Sequence, residues 1–361
     1  MNRNKKLWSG VLIGAFGLFA TACAPAAESA ESGAQVSAAP ESVSIGVYGP
    51  GLEYAFVYVA DGPDGMFADI EAEYGTTIEV VPIPSGSNLV SSLAGGSTQF
   101  AVMPGVSTIA SAQQGMPVQP LMGAFVGPAT FILGAQKYEQ ERGQDLTAYD
   151  GDRWAFSRIG SVGHLVAQEV AASEGLEWSN QQELPLGSGA DAQAALSANK
   201  AEVLVTGGEP GIKAIQEGLG YLVMNTQADE SLEFAKNINS IVNTTVKFEQ
   251  EYPDLVQDMT TAMLDGYIKL RDAGSADAAL ALLPEDARTQ VAGTWDMQWE
   301  MSRSGLSRAS TGFTQEELAA TIKLGQAGEA IAAGDTDTSL FRNDFVSRAY
   351  TELGLDEPAF D

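Results

Sequence analysis

Residues 82–115, PIPSGSNLVSSLAGGSTQFAVMPGVSTIASAQQG, and residues 185–218, PLGSGADAQAALSANKAEVLVTGGEPGIKAIQEG, align without a gap at an offset of 103. Nine of the thirty-four positions are identical: Pro82/Pro185, Ser85/Ser188, Gly86/Gly189, Leu93/Leu196, Val102/Val205, Gly105/Gly208, Ile109/Ile212, Gln113/Gln216 and Gly115/Gly218. Most of these fall on turn residues and on apolar positions, where two copies of one fold would keep them. Each copy reads as a short apolar strand, a Ser-Gly turn, a helix, a second strand, a glycine turn and a second helix. In the first copy the helices are expected over Asn88 to Ala94 and Val106 to Gln114, with strands over Ile78 to Ile83 and Gln99 to Met103. In the second copy the helices are expected over Asp191 to Ala198 and Glu209 to Glu217, with strands over Glu183 to Leu186 and Glu202 to Thr206.

Upstream of each copy stands another strand that runs into a helix. The first is Val43 to Tyr48 with the turn Gly49-Pro50-Gly51; the second is Arg153 to Ser157 with Arg158-Ile159-Gly160-Ser161. Strand alternating with helix predicts an α/β chain of two lobes, each with a parallel sheet covered on both faces. In such sheets the helix N-termini gather at the carboxyl ends of the strands, where their free N–H groups can hold a polar ligand. Two lobes facing each other in this way enclose a cleft.

After Tyr221 the pattern becomes mainly helical. Pro253 to Asp272 is amphipathic with proline at the first helical position, Thr314-x-x-Glu317 is a capping box, and Leu340 to Leu353 is a further helix. These helices are expected to wrap the first lobe, with crossings between lobes near Gly127 to Ile132 and Leu222 to Thr226. The chain thus divides into a leader (1–22), a linker (23–42), the first part of lobe 1 (43–130), lobe 2 (131–222), and a return to lobe 1 with C-terminal helices (223–361).

The N-terminus carries Arg3, Lys5 and Lys6, then an apolar, uncharged run from Leu7 to Ala20. That run is shorter than the roughly 20 residues needed to span a bilayer, and small residues follow it, so it reads as a cleaved signal peptide. Ala20-Thr21-Ala22-Cys23 ends as a bacterial lipobox does, which predicts a diacylglycerol lipid on Cys23 and a protein tethered outside the cytoplasm. Ala24 to Ser42, almost wholly small and polar, reads as a flexible spacer. Cys23 is the only cysteine, so disulfides and thiolate metal sites are excluded. The formal net charge is −28, which becomes −31 once the three bases of the leader are removed. Nucleic acid is thereby excluded as a partner. The acids are scattered, as on a solvated external surface.

Gly65-Met66-Phe67, the strand Thr77 to Pro82, Gly86, and Ser91-Ser92-Leu93-Ala94-Gly95-Gly96-Ser97-Thr98-Gln99-Phe100-Ala101-Val102 resemble the ABC-importer solute-binding proteins of the nitrate, taurine, sulfonate and thiamine-precursor type. Asp145-Leu146, Gly151, Arg153-Trp154-Ala155-Phe156, Arg158, Gly160-Ser161 and His164-Leu165 resemble that family's entry into its second lobe. Glu209-Pro210 and Glu251-x-Pro253-Asp254-Leu255-Val256 resemble its later landmarks. The resemblance covers about residues 44 to 275. It implies a periplasmic-binding-protein-like clamshell with two crossovers, acting as a monomer that delivers a small ligand to a permease and its ATPase. A sensor presenting the same clamshell to a membrane receptor, and an enzyme on the same fold, are the rival readings.

An enzyme needs a base or a nucleophile. His164 is the only histidine, and no Gly-x-Ser-x-Gly, His-Glu-x-x-His or Gly-Lys-Ser/Thr sequence occurs. No catalytic residue, metal or cofactor is expected. The candidate ligand contacts are Tyr48 and Tyr54, which flank the first glycine turn and can stack on a planar ring. Ser87, Asn88, Ser107, Ser161 and Asp191 stand at helix starts, where each can also simply cap its helix. Arg158 and His164 stand at the mouth of one helix, where a salt bridge or a core-edge position is the alternative. Glu209 follows a strand and can accept hydrogen bonds. Trp295 and Trp299, four apart on one helical face, are expected to pack in the core. Acids and tyrosines with a single arginine suit a planar heterocycle, such as a pyrimidine or flavin, better than a sulfonate, taurine or nitrate.

Overall fold

The computed structural model describes residues 39–360 except 84–85, 188 and 335–336. The leader, Cys23, nearly all of the spacer, and Ser85 and Ser188 of the repeat lie outside the described residues. Ten strands are formed among the described residues: β1 (Ser42–Val47), β2 (Thr77–Pro82), β3 (Phe100–Met103), β4 (Val118–Val126), β5 (Thr130–Ala135), β6 (Arg153–Phe156), β7 (Gln182–Pro185), β8 (Val203–Gly207), β9 (Gly220–Asn225) and β10 (Ile238–Thr245). They make two five-stranded sheets of the same design, in the orders β2-β1-β3-β10-β4 and β7-β6-β8-β5-β9.

The offset of 103 recurs in the element bounds. Helices Gly86–Ala94 and Gly189–Ser197 correspond, as do Gly105–Gln113 and Gly208–Gln216, and β3 and β8 begin 103 residues apart. The repeated glycines have local reasons. A Cβ on Gly105 would stand 2.5 Å from the Ile238 carbonyl oxygen, so this helix starts against the backbone of β10. Gly208 instead adopts φ +48°, in the left-handed region that glycine enters without steric cost.

The sheets are mixed, in contrast to the parallel sheets that the strand–helix alternation predicts. β1, β2 and β3 are parallel, as are β6, β7 and β8, but β10 and β5 run antiparallel to their neighbours on both sides. Each of these two strands is the first that the chain enters after leaving the other sheet. It starts at the end where the parallel strands finish and must run the opposite way. β4 and β5 are buried along their whole length, β5 inside its sheet and β4 at the edge of its own beneath the C-terminal helices, so neither shows the in–out alternation of a half-exposed strand.

The crossings are short and joined to each other. Residues 127–129 lead from β4 to β5, and residues 226–237 lead from β9 back to β10. The return therefore begins after Asn225; Leu222 to Asn225, expected near the crossing, are strand residues of the second sheet. Fully buried Gln227 accepts from the Ala129 N–H at 2.9 Å and donates to the Val126 carbonyl at 2.8 Å, and Thr226 donates to the Thr130 carbonyl at 2.6 Å.

The first sheet packs Val43, Ile45, Phe100 and Val102 against Phe56, Phe67 and the long helix Pro253–Arg271, whose Tyr267 is wholly buried. Thr314 and Glu317 form both halves of the capping box that opens helix Gln315–Ala327. The last helix is Asp344–Glu352, starting later than Leu340. The C-terminal helices do more than wrap the first lobe. Trp295 and Trp299 of helix Trp295–Ser302 are buried with the first sheet's core, while Met297 and Met301 of the same helix pack on the second sheet's cluster. Among the described residues no helix is long and apolar enough to cross a membrane.

Candidate functional site

Between the two sheets lies a cavity of about 870 Å³. Its wall from the first lobe is the segment Tyr48 to Tyr54 after β1, with Pro104 after β3 and Asn239 on β10. The second lobe supplies Ser157, Ser161 to Gly163, and Val205 to Pro210, which includes the start of helix Gly208–Gln216. Pro128 and Ala129 of the first crossing and Thr130 at the start of β5 lie between them, and Gln290, Val291 and Gln298 close the wall from the C-terminal helices.

Of the ten candidate contacts, the cavity lining brings together Tyr48, Tyr54, Ser161 and Glu209. The two tyrosine rings stand 5.4 Å apart between centroids, tilted by 45°. The Tyr48 hydroxyl is so close to the first turn of helix Gly86–Ala94 that a Cβ on Gly86 would meet it at 2.6 Å. Ser161 caps helix Val162–Ser173 by accepting from the His164 N–H at 3.3 Å, which leaves its own proton available to the cavity. Glu209 is half-exposed and pairs with Lys213 one turn on, at 2.5 Å.

The other six are not among the lining residues. His164 is buried, and both ring nitrogens are taken: Nδ1 accepts from the Gly160 N–H at 3.0 Å, which leaves Nε2 to donate to Glu183 at 3.1 Å. Its ring packs 4.7 Å from that of Phe156, the core-edge position that the helix start also allowed. Arg158 is exposed on the loop before that helix. Ser87, Asn88 and Asp191 are exposed in the first turns of their helices, and Ser107 is half-buried in its own.

The sequence reading missed Glu53, Asn239, Gln290 and Gln298. Gln298 accepts from the Leu52 N–H at 2.9 Å and donates to Thr294 Oγ1 at 2.9 Å, so a C-terminal helix holds the glycine loop in place. Contacts of such long sequence separation leave no local signal. Glu53 did offer one, an acid beside a tyrosine just past a glycine turn. Asn239 donates to Glu53 Oε2 at 2.8 Å. Burial raises the Glu53 carboxyl to about 7, against the lowering effect of hydrogen bonds from Asn239 and Tyr54. Burial, then the charge of Glu53, raises both tyrosine hydroxyls as well. The described lining contains two carboxyl groups, Glu53 and Glu209, and no arginine, lysine or histidine.

Two sheets of this order, joined by paired crossings around a cleft at the ends of their parallel strands, constitute the periplasmic-binding-protein fold. The NMT1/THI5-like family model matches residues 55–273, more than half of the chain, and the protein belongs to that family. The match leaves out the Tyr48 to Tyr54 segment and Gln298, which together form much of the first lobe's side of the cavity.

Similar solved structures include the alkanesulfonate-binding protein SsuA from Xanthomonas axonopodis pv. citri bound to MOPS (19% identity, TM-score 0.61, covering 83% of this chain and 98% of that one). The putative sulfonate-binding SsuA of Methylobacillus flagellatus is similar at 17% identity and TM-score 0.64, over 87% and 95% of the two chains. The nitrate-binding protein NrtA of Synechocystis is similar at 14% identity and TM-score 0.60, over 88% and 91%. At these identities the likeness is one of fold. No curated protein sequence matches the chain.

Proposed function

We propose that the chain is the solute-binding component of an ABC importer, anchored outside the cytoplasm by a lipid on Cys23, and that it carries a small organic ligand to a permease and its ATPase. The favoured ligand is a planar heterocycle of the vitamin or vitamin-precursor kind, a pyrimidine or a flavin. The observation that carries this reading is the cavity lining itself: a pair of tyrosines, several neutral amides and hydroxyls, and carboxyl groups, with no basic side chain among the described lining residues. Such a lining offers a ring both a stacking surface and hydrogen-bond partners.

An oxyanion such as a sulfonate or nitrate is the second reading, because helix Gly208–Gln216 opens at the cavity with no side-chain cap. A helix N-terminus contributes only about 0.3–1 kcal/mol toward an anion. Glu53 Oε1 already faces that N-terminus, and a second anion there would meet a partly buried acid of the same sign. Calorimetric titration of the mature protein is expected to show tighter binding of 2-aminopyrimidine or riboflavin than of taurine. The reverse order would overturn the heterocycle reading. Genes for a permease and an ATPase beside this one support import, whereas a receptor kinase there supports sensing.

A further inference from the structure

Glu53 lines the cavity on the first lobe's side, opposite the start of helix Gly208–Gln216. Oε2 is held by Asn239, while Oε1 faces helix Gly208–Gln216 closely enough that a Cβ on Gly208 would stand 3.8 Å away. The titratable and charged groups facing it are few. Its own segment supplies Tyr48 and Tyr54, and the facing helix supplies Glu209, whose charge Lys213 offsets. β10 supplies Asn239 and the C-terminal helices supply Gln290 and Gln298, all neutral. No base among the lining residues neutralises it. With its carboxyl raised by burial to about 7, Glu53 is protonated about half the time at neutral pH. A carboxylic acid is a donor and an acceptor in one group, and a carboxylate is an acceptor only.

We infer that Glu53 is the specificity-determining residue of the cavity, taking the edge of a neutral heterocycle on which an N–H donor adjoins a nitrogen or carbonyl acceptor, and sharing one proton with it. This rests on the heterocycle reading above and adds the atoms that read the ligand. The protonated Oε1 donates to the ligand's acceptor, while the carboxyl accepts the ligand's N–H. If the proton moves to the ligand, the same two bonds persist as a charge-assisted pair. The complex holds one proton in either case. Free protein already holds it below pH 7 and must take it up above pH 7. Affinity for a neutral ligand is therefore flat in mild acid and falls about tenfold for each pH unit above 7.

The test is calorimetry of the native protein and of Glu53→Gln with 2-aminopyrimidine and with riboflavin, at pH 6 and pH 8, in buffers of differing ionisation enthalpy. The native protein is expected to take up close to one proton per ligand at pH 8 and far less at pH 6. Glutamine presents a permanent donor and acceptor on the same edge, so Glu53→Gln is expected to bind with no proton uptake and equal affinity at both pH values. Binding without proton uptake in the native protein, or uptake that persists in Glu53→Gln, overturns the assignment of Glu53 and leaves the heterocycle reading standing. Failure of both ligands to bind native protein at either pH, with taurine bound, overturns both. Should Glu53→Gln not fold, 2-(dimethylamino)pyrimidine, which lacks the N–H, tests the same contact on native protein. It is expected to bind at least tenfold more weakly than 2-aminopyrimidine, and equal binding overturns the proposal.

Discussion

A carboxyl group that titrates near neutrality inside a fold also changes the stability of that fold. Glu53 has an ordinary carboxyl value of 4.5 when unfolded and is raised to about 7 by burial in the native state. Between those values the folded protein binds the extra proton, so the stability that the neutral acid contributes is complete below about pH 4.5. It is lost as pH rises through 7. The shift corresponds to roughly 3 kcal/mol. Urea denaturation at pH 5 and pH 8 is expected to show Glu53→Gln losing less stability over this interval than native protein, by up to that amount. Other raised acids, such as Asp61 at about 6, remain in both proteins and cancel in the comparison. Equal losses would mean that Glu53 is hydrated and ordinary. The residues legible in the sequence were those beside punctuation: Tyr48, Tyr54, Ser161 and Glu209 each stand at a strand end or a helix start. Asn239 and Gln298 were illegible because an asparagine near the start of a strand and a glutamine inside a helix look like any others. Their role comes only from what the fold sets opposite them.

At the scale of elements, the short helix Ala55–Ala60 packs closely on the long helix Pro253–Arg271 across Gly266. A Cβ there would run into the Phe56 carbonyl oxygen and come within 3.0 Å of the Ala60 nitrogen. Alanine is a better helix former than glycine by about 1 kcal/mol, but here the obstacle is backbone and cannot rotate away. Gly266→Ala is therefore expected to destabilise the protein by roughly 1–3 kcal/mol, the overpacking cost exceeding the propensity gain. Thermal unfolding checks it, and an unchanged or raised midpoint would show that the helices separate freely. The long helix itself was legible from Pro253 and its apolar stripe, and Thr314-x-x-Glu317 from its capping pattern. Strand direction was not. An apolar run reads alike in both senses, and β5 and β10 are antiparallel only because of where the chain enters each sheet.

For the whole molecule, the two lobes differ in how the chain builds them. The second sheet is made from one continuous stretch, β5 to β9, whereas the first needs β10 inserted between β3 and β4, after the whole second sheet has intervened. Closing that longer loop costs more chain entropy, which slows the contacts that depend on it. Pulse-labelled hydrogen exchange during refolding is expected to protect the amides of β5, β8 and β9 before those of β3 and β10. Simultaneous protection would show that the two sheets form as one unit. The two-lobe plan was legible because the repeat copies the same element order twice. The return strand was less so, since β10 has no counterpart within the aligned copies.

The position of β10 also bears on timing in the cell. Until Ile238–Thr245 has been synthesised, β3 and β4 lack the strand that joins them, and the first sheet stays incomplete while most of the chain is already made. A protein built in this order keeps its leading lobe unfinished during much of its synthesis, which would suit the export proposed above, since an open chain passes a narrow channel more readily than a closed one.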